Sequence, residues 1–518
     1  MKKHLILLAA ACTMILSGCS DDNDGGNGGN PGQGENGLVF TENGVNYIGN
    51  GDKHFPAPVG DYTLDASKKY VLRGWVYIQN GSKITIPAGT VIRGDKETMA
   101  SLIIEPGAQI IAQGSRTAPI VFTSNQPAGQ RKPGDWGGLI ICGNGINNKT
   151  SQQIEGGPRT THGGNKEDDN SGILSYVRVE FAGYPFETDK EINGITFGSV
   201  GSGTQVDHVQ VSYSNDDSFE WFGGSVNCSY LVAYHGWDDD FDTDNGFSGR
   251  MQFLLSVRNP KLADTSYSNG FESDNNADGS TEEPYTQAAF CNVTLIGPAG
   301  QDENFTNVSS DGNYIDGGTF NPNNGSKLGQ FQSGVQIRRN SRISLANSVV
   351  AGWPVGLIVE NDKGSATQTY AASNNLVRNV FFGGYDTEAE SYDNTKGAAC
   401  ILGSDVNKKF EDRYSDNAGT SYDDGEPYSF SHSYVVEASR NNTVKATIAE
   451  LGLGILSGTA PSVAVAPDGA SILKNASLTV PSGFDTKGNG YAGAFAGTSE
   501  ADNWMAGWTE FDPQNKVY

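Results

Sequence analysis

Between Val206 and Asn276 one short phrase is written three times, and no other feature narrows the possible folds as far. The copies are D-S-F-E-W-F-G-G from Asp217, D-F-D-T-D-N-G from Asp240 and G-F-E-S-D-N-N from Gly270, so Phe219, Phe241 and Phe271 head equivalent segments 22 and then 30 residues apart. A unit of that length cannot bury its apolar face alone, whereas stacked copies can, each touching only its neighbours. The residues between the copies are short β-branched and aromatic runs broken by Gly and Asn, so the repeating unit is made of strands and turns. The spacing predicts a solenoid in which the three Phe lie over one another.

The rest of the chain carries the same pattern. Y-V-L-R-G-W-V-Y-I from Tyr70, K-I-T-I-P-A-G-T-V-I-R-G-D from Lys83, S-L-I-I-E-P-G-A-Q-I-I-A-Q-G from Ser101 and P-I-V-F-T-S-N from Pro119 are short strands closed by Pro-Gly, Ala-Gly or Gly-Ser turns. L-S-Y-V-R-V-E-F (174), V-D-H-V-Q-V-S-Y (206), C-S-Y-L-V-A-Y-H (228), M-Q-F-L-L-S-V-R (251) and F-C-N-V-T-L-I-G (290) share apolar first and fourth places, and later turns follow at Leu345 and Leu376. G-F-E-S-D-N (270), G-V-Q-I-R-R (334) and G-L-I-V-E-N (356) continue a second face. Polar Gly/Asn-rich insertions at 150–170, 279–284, 301–329 and 386–431 are expected to fold over one side as loops.

The phrases I-P-A-G-T-V-I-R-G-D (86–95), A-S-L-I-I-E-P-G-A-Q-I-I-A-Q-G-S (100–115), D-W-G-G-L-I-I-C-G (135–143), Y-A-G-A-F (491–495) and N-W-M-A-G-W-T (503–509) resemble those of a family of Bacteroidota outer-membrane surface lipoproteins. The resemblance covers most of the chain. It implies an all-β fold, a right-handed parallel β-helix with loop insertions and a C-terminal cap, and it assigns no activity. The expected organisation is a lipoprotein signal peptide over 1–18, a lipidated acidic and Gly-rich tether over 19–37, the parallel β-helix over 38–445 and a capping region over 446–518. A cap is expected because the open end of a β-helix would expose an unpaired edge.

The N-terminus supplies an address. Lys2 and Lys3 precede an apolar run over 5–15, and Leu16-Ser17-Gly18-Cys19 matches the bacterial lipobox, which implies that Cys19 is acylated and anchors the chain to a membrane. Ser20-Asp21-Asp22-Asn23-Asp24 resembles the acidic signal that sends Bacteroidota lipoproteins to the outer face of the outer membrane, so the expected location is the outer membrane, lipid-anchored and facing the exterior. A formal net charge of −25 argues against nucleic acid as a partner. Cys142, Cys228, Cys291 and Cys400 contain no C-x-x-C pair and are expected to be buried thiols in strands.

Chemistry is expected on the repeated phrase. Its registration stacks Glu220, Asp242 and Glu272 directly after the Phe, with Asp244 and Asp274 two positions further on. Successive turns of a β-helix lie about 4.8 Å apart. Carboxylates at that distance repel by roughly 3 to 4 kcal/mol at an effective dielectric near 20, so the column requires a cation, basic neighbours or a raised pKa. Calcium is the cation an all-oxygen site takes, with Asp216, Asp217, Asp238, Asp239, Asp240, Asp242, Asp244 and Asp274 as candidate ligands. Acids that alternate in direction and simply face water are the competing expectation.

Three functional expectations follow. In the first, a non-catalytic surface protein binds a glycan or peptide ligand, or a partner such as an outer-membrane transporter, as an accessory of a nutrient-uptake complex. Its contacts would be Tyr213, Glu220, Tyr234, His235, Trp237, Glu272 and Arg338, the aromatics offering flat faces that stack on sugar rings. Trp237, after a Gly and among aspartates, is the surface candidate, while Trp221 belongs inside. In the second, a calcium-assisted polysaccharide lyase or glycoside hydrolase uses Asp217, Asp240 and Asp242 as acid and base, with His235 and Arg338 steering substrate and Arg250 or Arg258 as a lyase base. N-D-D-S (215–218) and Y-H-G-W-D-D-D (234–240) are similar to the aspartate groupings of polygalacturonases, but the ordered motif set of those enzymes is missing. A structural or adhesive solenoid is the third expectation.

Overall fold

The computed structural model describes residues 37–149, 151–187, 190–307, 329–360, 363, 366–388, 400–405 and 428–518. The expected signal peptide, Cys19 and the expected tether up to residue 36 lie outside the described residues, as do parts of the loops expected at 301–329 and 386–431. After an opening hairpin in which Val39–Glu42 pairs antiparallel with Val45–Ile48, the chain winds as a right-handed parallel β-helix up to Lys445. Among the described residues its strands form two long sheets, one of 16 strands and one of 12. The five segments aligned above do stack. Leu174, Val206, Cys228, Met251, Phe290, Leu345 and Val377 are successive partners in one column, and their buried side chains run into one apolar core.

The coil has a corner that the strand pattern conceals. In its early turns Gln109–Gln113 and Ile120–Ser124 are separate strands, and they pair with the first and second halves of the single strand Gly172–Glu180. What was a turn becomes one residue, Tyr176, with a left-handed φ of 52°. The same place in later turns is held by His208, Tyr230, Phe253, Asn292, Asn347 and Asn379, all with positive φ. A left-handed backbone costs an ordinary L residue roughly 1 to 2 kcal/mol, and Asn adopts it most readily. The aromatic members recover that cost by stacking, with ring centroids 4.3 Å (Tyr176–His208), 4.5 Å (His208–Tyr230) and 4.9 Å (Tyr230–Phe253) apart.

Residues 446–518, the expected capping region, follow a course of their own. That segment lies lengthwise along the corner as a strap, bonding in turn to Asn347 (through Thr479), Asn292 (Gly488), Gln252 (Asp485), Gln210 (Glu510), Arg178 (Trp508), Arg131 (Pro513) and Lys69 (Tyr518). At the end of the coil the backbone groups are met instead by residues before 446. Asn442 accepts from Val380 N–H at 3.0 Å and donates to Val377 O at 3.2 Å, and Tyr434, on the helix Phe430–Val436, accepts from Leu376 N–H at 2.7 Å. Side chains standing in for the missing next strand remove the unpaired edge. The four cysteines are free and buried.

Candidate acidic cleft

Strand alternation creates the site. Phe219 pairs with Phe241 and Phe241 with Phe271, the rings stacking inward at 5.7 and 5.3 Å. The next residue in each strand must point the other way, so Glu220, Asp242 and Glu272 are aligned on the outer face, in register. The column starts at Glu220, because Thr196 holds the equivalent place one turn earlier. Corner residues add to it. Asp216 and Asp217 precede one strand, Asp238 and Asp239 the next, and Asp217 Oδ1 accepts from Asp239 N–H at 2.9 Å, tying the two corners together.

The result is a cleft of about 170 Å³ walled by nine carboxyl-bearing residues and a single guanidinium, that of Arg338. Carboxylate oxygens of Asp216, Asp217 and Asp238, and of Asp217, Glu220 and Asp242, lie within 4.8 Å of one another, so Asp217 belongs to both groups. Burial and then the neighbouring acids push Asp216, Asp217, Glu220, Asp238 and Asp242 well above the ordinary carboxylate range. Asp239 is pushed to about 6 by burial, against the backbone bond it accepts from Asn269 N–H. Asp217 and Glu220 are 7% and 6% exposed, while Asp216, Asp238 and Asp242 are half-buried, with one carboxylate oxygen each of Asp238 and Asp242 sealed from solvent and without a hydrogen-bond partner among the described residues. Some relief is internal. Asn193 donates to Glu220, Ser266 to Asp238, and Arg338 pairs with Glu272 and, at 2.7 Å, with Asp274.

Several expected members are elsewhere. Asp240 is fully buried in an ion pair with Arg258, 2.8 Å apart with both side chains sealed from solvent, so neither a catalytic nor a metal role fits it, and Arg258 is not a base facing the cleft. Arg250, the other base considered, is exposed at the start of its strand and lies against Gly483 of the strap. Asp244, pushed to about 6 chiefly by burial, and Asp274, held between Arg338 and Arg339, fall outside the cleft lining. Trp237 is not at the surface. It is 0% exposed, its backbone carbonyl accepts from Arg258 and Ser268, and it joins the apolar cluster beneath the strap. Tyr213 and Tyr234 are buried in that same cluster, with Phe511 of the strap edge-on to Tyr234, and His235 stacks on Tyr234 and bonds Tyr213 Oη at 3.1 Å. None of these four lines the cleft, which corrects their expected ligand role.

Sequence patterns missed Glu155, Glu191, Asn193 and Ser266, which also line the cleft. Glu155 comes from the insertion after residue 150 and Glu191 from a hairpin, and neither carries the repeat. Asn193 alone left a trace, in N-G-I-T-F, where Ile195 occupies the rung beneath Phe219.

Comparison with known proteins supports the architecture. A family profile described as a pectate-lyase like beta helix domain matches residues 58–429. No curated protein matches the chain. Among solved structures, the Dettilon tailspike protein matches at 11% identity with a TM-score of 0.25, over 65% of this chain and 62% of its own, short of two thirds of the tailspike.

Proposed function

Because the chain belongs to the pectate-lyase-like beta-helix family, we propose that it is a ligand-binding solenoid whose acidic cleft takes a divalent cation, calcium in the first place, and that it is not a hydrolase or lyase. One observation carries this reading, the nine carboxyl groups set against one guanidinium. Their repulsion is relieved either by protonation or by a cation, and calcium accepts six to eight oxygen ligands without demanding a rigid geometry. Size points the same way, since roughly 170 Å³ holds an ion and its waters but falls below the roughly 300 Å³ at which small-molecule sites begin. Against catalysis stands Asp240, locked on Arg258 away from Asp217 and Asp242. Titration of the unfolding temperature with calcium tests the cation, with a rise expected at millimolar calcium and its absence overturning the site. Release of products from a panel of acidic and neutral polysaccharides, abolished by Asp217→Asn with Asp242→Asn, would overturn the non-catalytic reading.

The lipobox and the acids after it support an anchored location, through acylated Cys19 on the outer face of an outer membrane, where a transporter is the natural partner. Among the described residues no helix is long and apolar enough to cross a membrane. Cys19→Ser is expected to move the protein from the membrane to the soluble fraction, and resistance to protease added to intact cells would overturn the outward orientation.

A further inference from the structure

At the far end of the coil the strap leaves the corner column and opens a second cavity, of about 630 Å³, between itself and the last two strands of the larger sheet. That volume lies in the range of small-molecule sites. It differs from the acidic cleft in its charge. In a chain of net charge −25 no carboxylate lines it. Its polar groups are the amides of Asn379, Asn441 and Asn475 and the hydroxyls of Thr443 and Ser477, with Lys445 the one charge.

The amides are oriented by bonds that fix which end of each is free. Asn347 donates to Thr479 O at 3.0 Å, so its Oδ1 is an acceptor, and it accepts from Asn379 Nδ2 at 3.0 Å. Asn379, the last rung of the corner column, uses its Nδ2 in that bond, and among the described residues no donor meets its Oδ1. On the opposite wall Asn475 Oδ1 accepts from Ser477 N–H at 3.0 Å and from its hydroxyl at 2.7 Å, which leaves the Asn475 NH₂ without a protein acceptor. An acceptor on the coil and a donor on the strap thus line one cavity together with the hydroxyls of Thr443 and Ser477, and Ile472 (38% exposed) adds apolar surface to its lining. Groups that donate and accept in pairs beside an apolar face match a polyol ring, whose hydroxyls do both and whose C–H face is apolar.

We propose that this cavity binds an uncharged oligosaccharide. The site gives a ligand class to the ligand-binding solenoid described above and requires no cation, so the two fail separately. Calorimetric titration of the full chain in EDTA with cello-, xylo-, manno- and malto-hexaose tests it. At least one is expected to bind, with affinity falling about tenfold in Asn475→Ala, the loss of one buried hydrogen bond to ligand. Asn475 is exposed, so an unchanged unfolding temperature excludes misfolding as the cause. Binding that survives Asp217→Asn with Asp242→Asn supports this cavity. Failure of all four sugars to bind, binding indifferent to Asn475→Ala, or binding lost with the two aspartates instead would overturn it.

Discussion

Three consecutive aspartates, Asp238, Asp239 and Asp240, meet three different fates. The first opens into the cleft beside Ser266, the second accepts from Asn269 N–H, and the third is sealed on Arg258. Arg258 also bonds the carbonyls of Trp237 and Asp238, so it organises the corner as well as neutralising Asp240. Arg258→Met should therefore destabilise the fold by about 3 to 5 kcal/mol by leaving a buried carboxyl unpaired. Pairing it with Asp240→Leu should restore much of the loss, as read from urea unfolding midpoints. The buried acids in and beside the cleft make stability depend on pH with the opposite sign to an ordinary salt bridge. Asp239 and Asp244 titrate near 6 when folded against 3.8 as free groups, so between about pH 4 and 6 the folded chain holds more protons and stability falls as pH rises. His235 and His162, kept neutral by burial with pKa values lowered to about 3 and about 4, oppose this by losing stability as pH falls below about 6.5. Asp216, Asp217, Glu220, Asp238 and Asp242, raised well above the ordinary carboxylate range by burial and then by one another, act in the same direction as Asp239 and outnumber the two histidines. In EDTA the unfolding temperature is expected to be higher near pH 5 than near pH 7.5, with calcium closing the gap at the higher pH. A steady rise from pH 5 to 7.5 in EDTA would contradict this account.

At the scale of elements, the sequence showed what repeats and hid what does not. Parallel register was legible because Phe219, Phe241 and Phe271 recur with an acid after each, and strand alternation then sends the acids to one face. Orientation at corners was not legible. Trp237 and Asp240 follow Gly236, where the two-residue alternation that predicts direction breaks off. The course of the strap was not legible for a related reason. It has almost no strand of its own and holds the coil by side chain to backbone pairs that leave no periodic trace. Gln252 donates to Asp485 O at 2.9 Å and accepts from Asp485 N–H at 2.7 Å, and Gln210 does the same with Glu510 at 2.7 and 2.9 Å. Each glutamine thus imitates the paired bonds of a neighbouring strand. Gln252→Ala should expose the Asp485 amide to faster hydrogen exchange and cost about 1 to 3 kcal/mol, because two backbone groups lose their partners together. Unchanged exchange at Asp485 would mean that the strap is held by its apolar contacts alone.

For the molecule as a whole, the strap decides how a one-dimensional object unfolds. A solenoid whose turns touch only their neighbours is stabilised by the sum of local interfaces, so a weak turn can open while others persist. The short strand Phe271–Ser273 meets the next turn at one register pair, Phe271 with Val335, flanked by bonds from Gly270 N–H to Ser333 O and from Arg338 N–H to Ser273 O, both 2.9 Å. The strap opposes separation by bonding turns as distant as those of Lys69 and Asn347, and by laying Trp504 and Trp508 against Tyr230 and Tyr176. Opening one turn then also breaks contacts made by others, which couples the array. The intact protein should consequently unfold in one calorimetric transition whose measured enthalpy matches the van't Hoff enthalpy. With Gln210→Ala and Gln252→Ala together the coupling is loosened at two points, and the transition should broaden so that the measured enthalpy exceeds the van't Hoff value. Equal enthalpies in the double variant would show that the coil is cooperative without its strap, through the continuous core that runs from Leu174 to Val377.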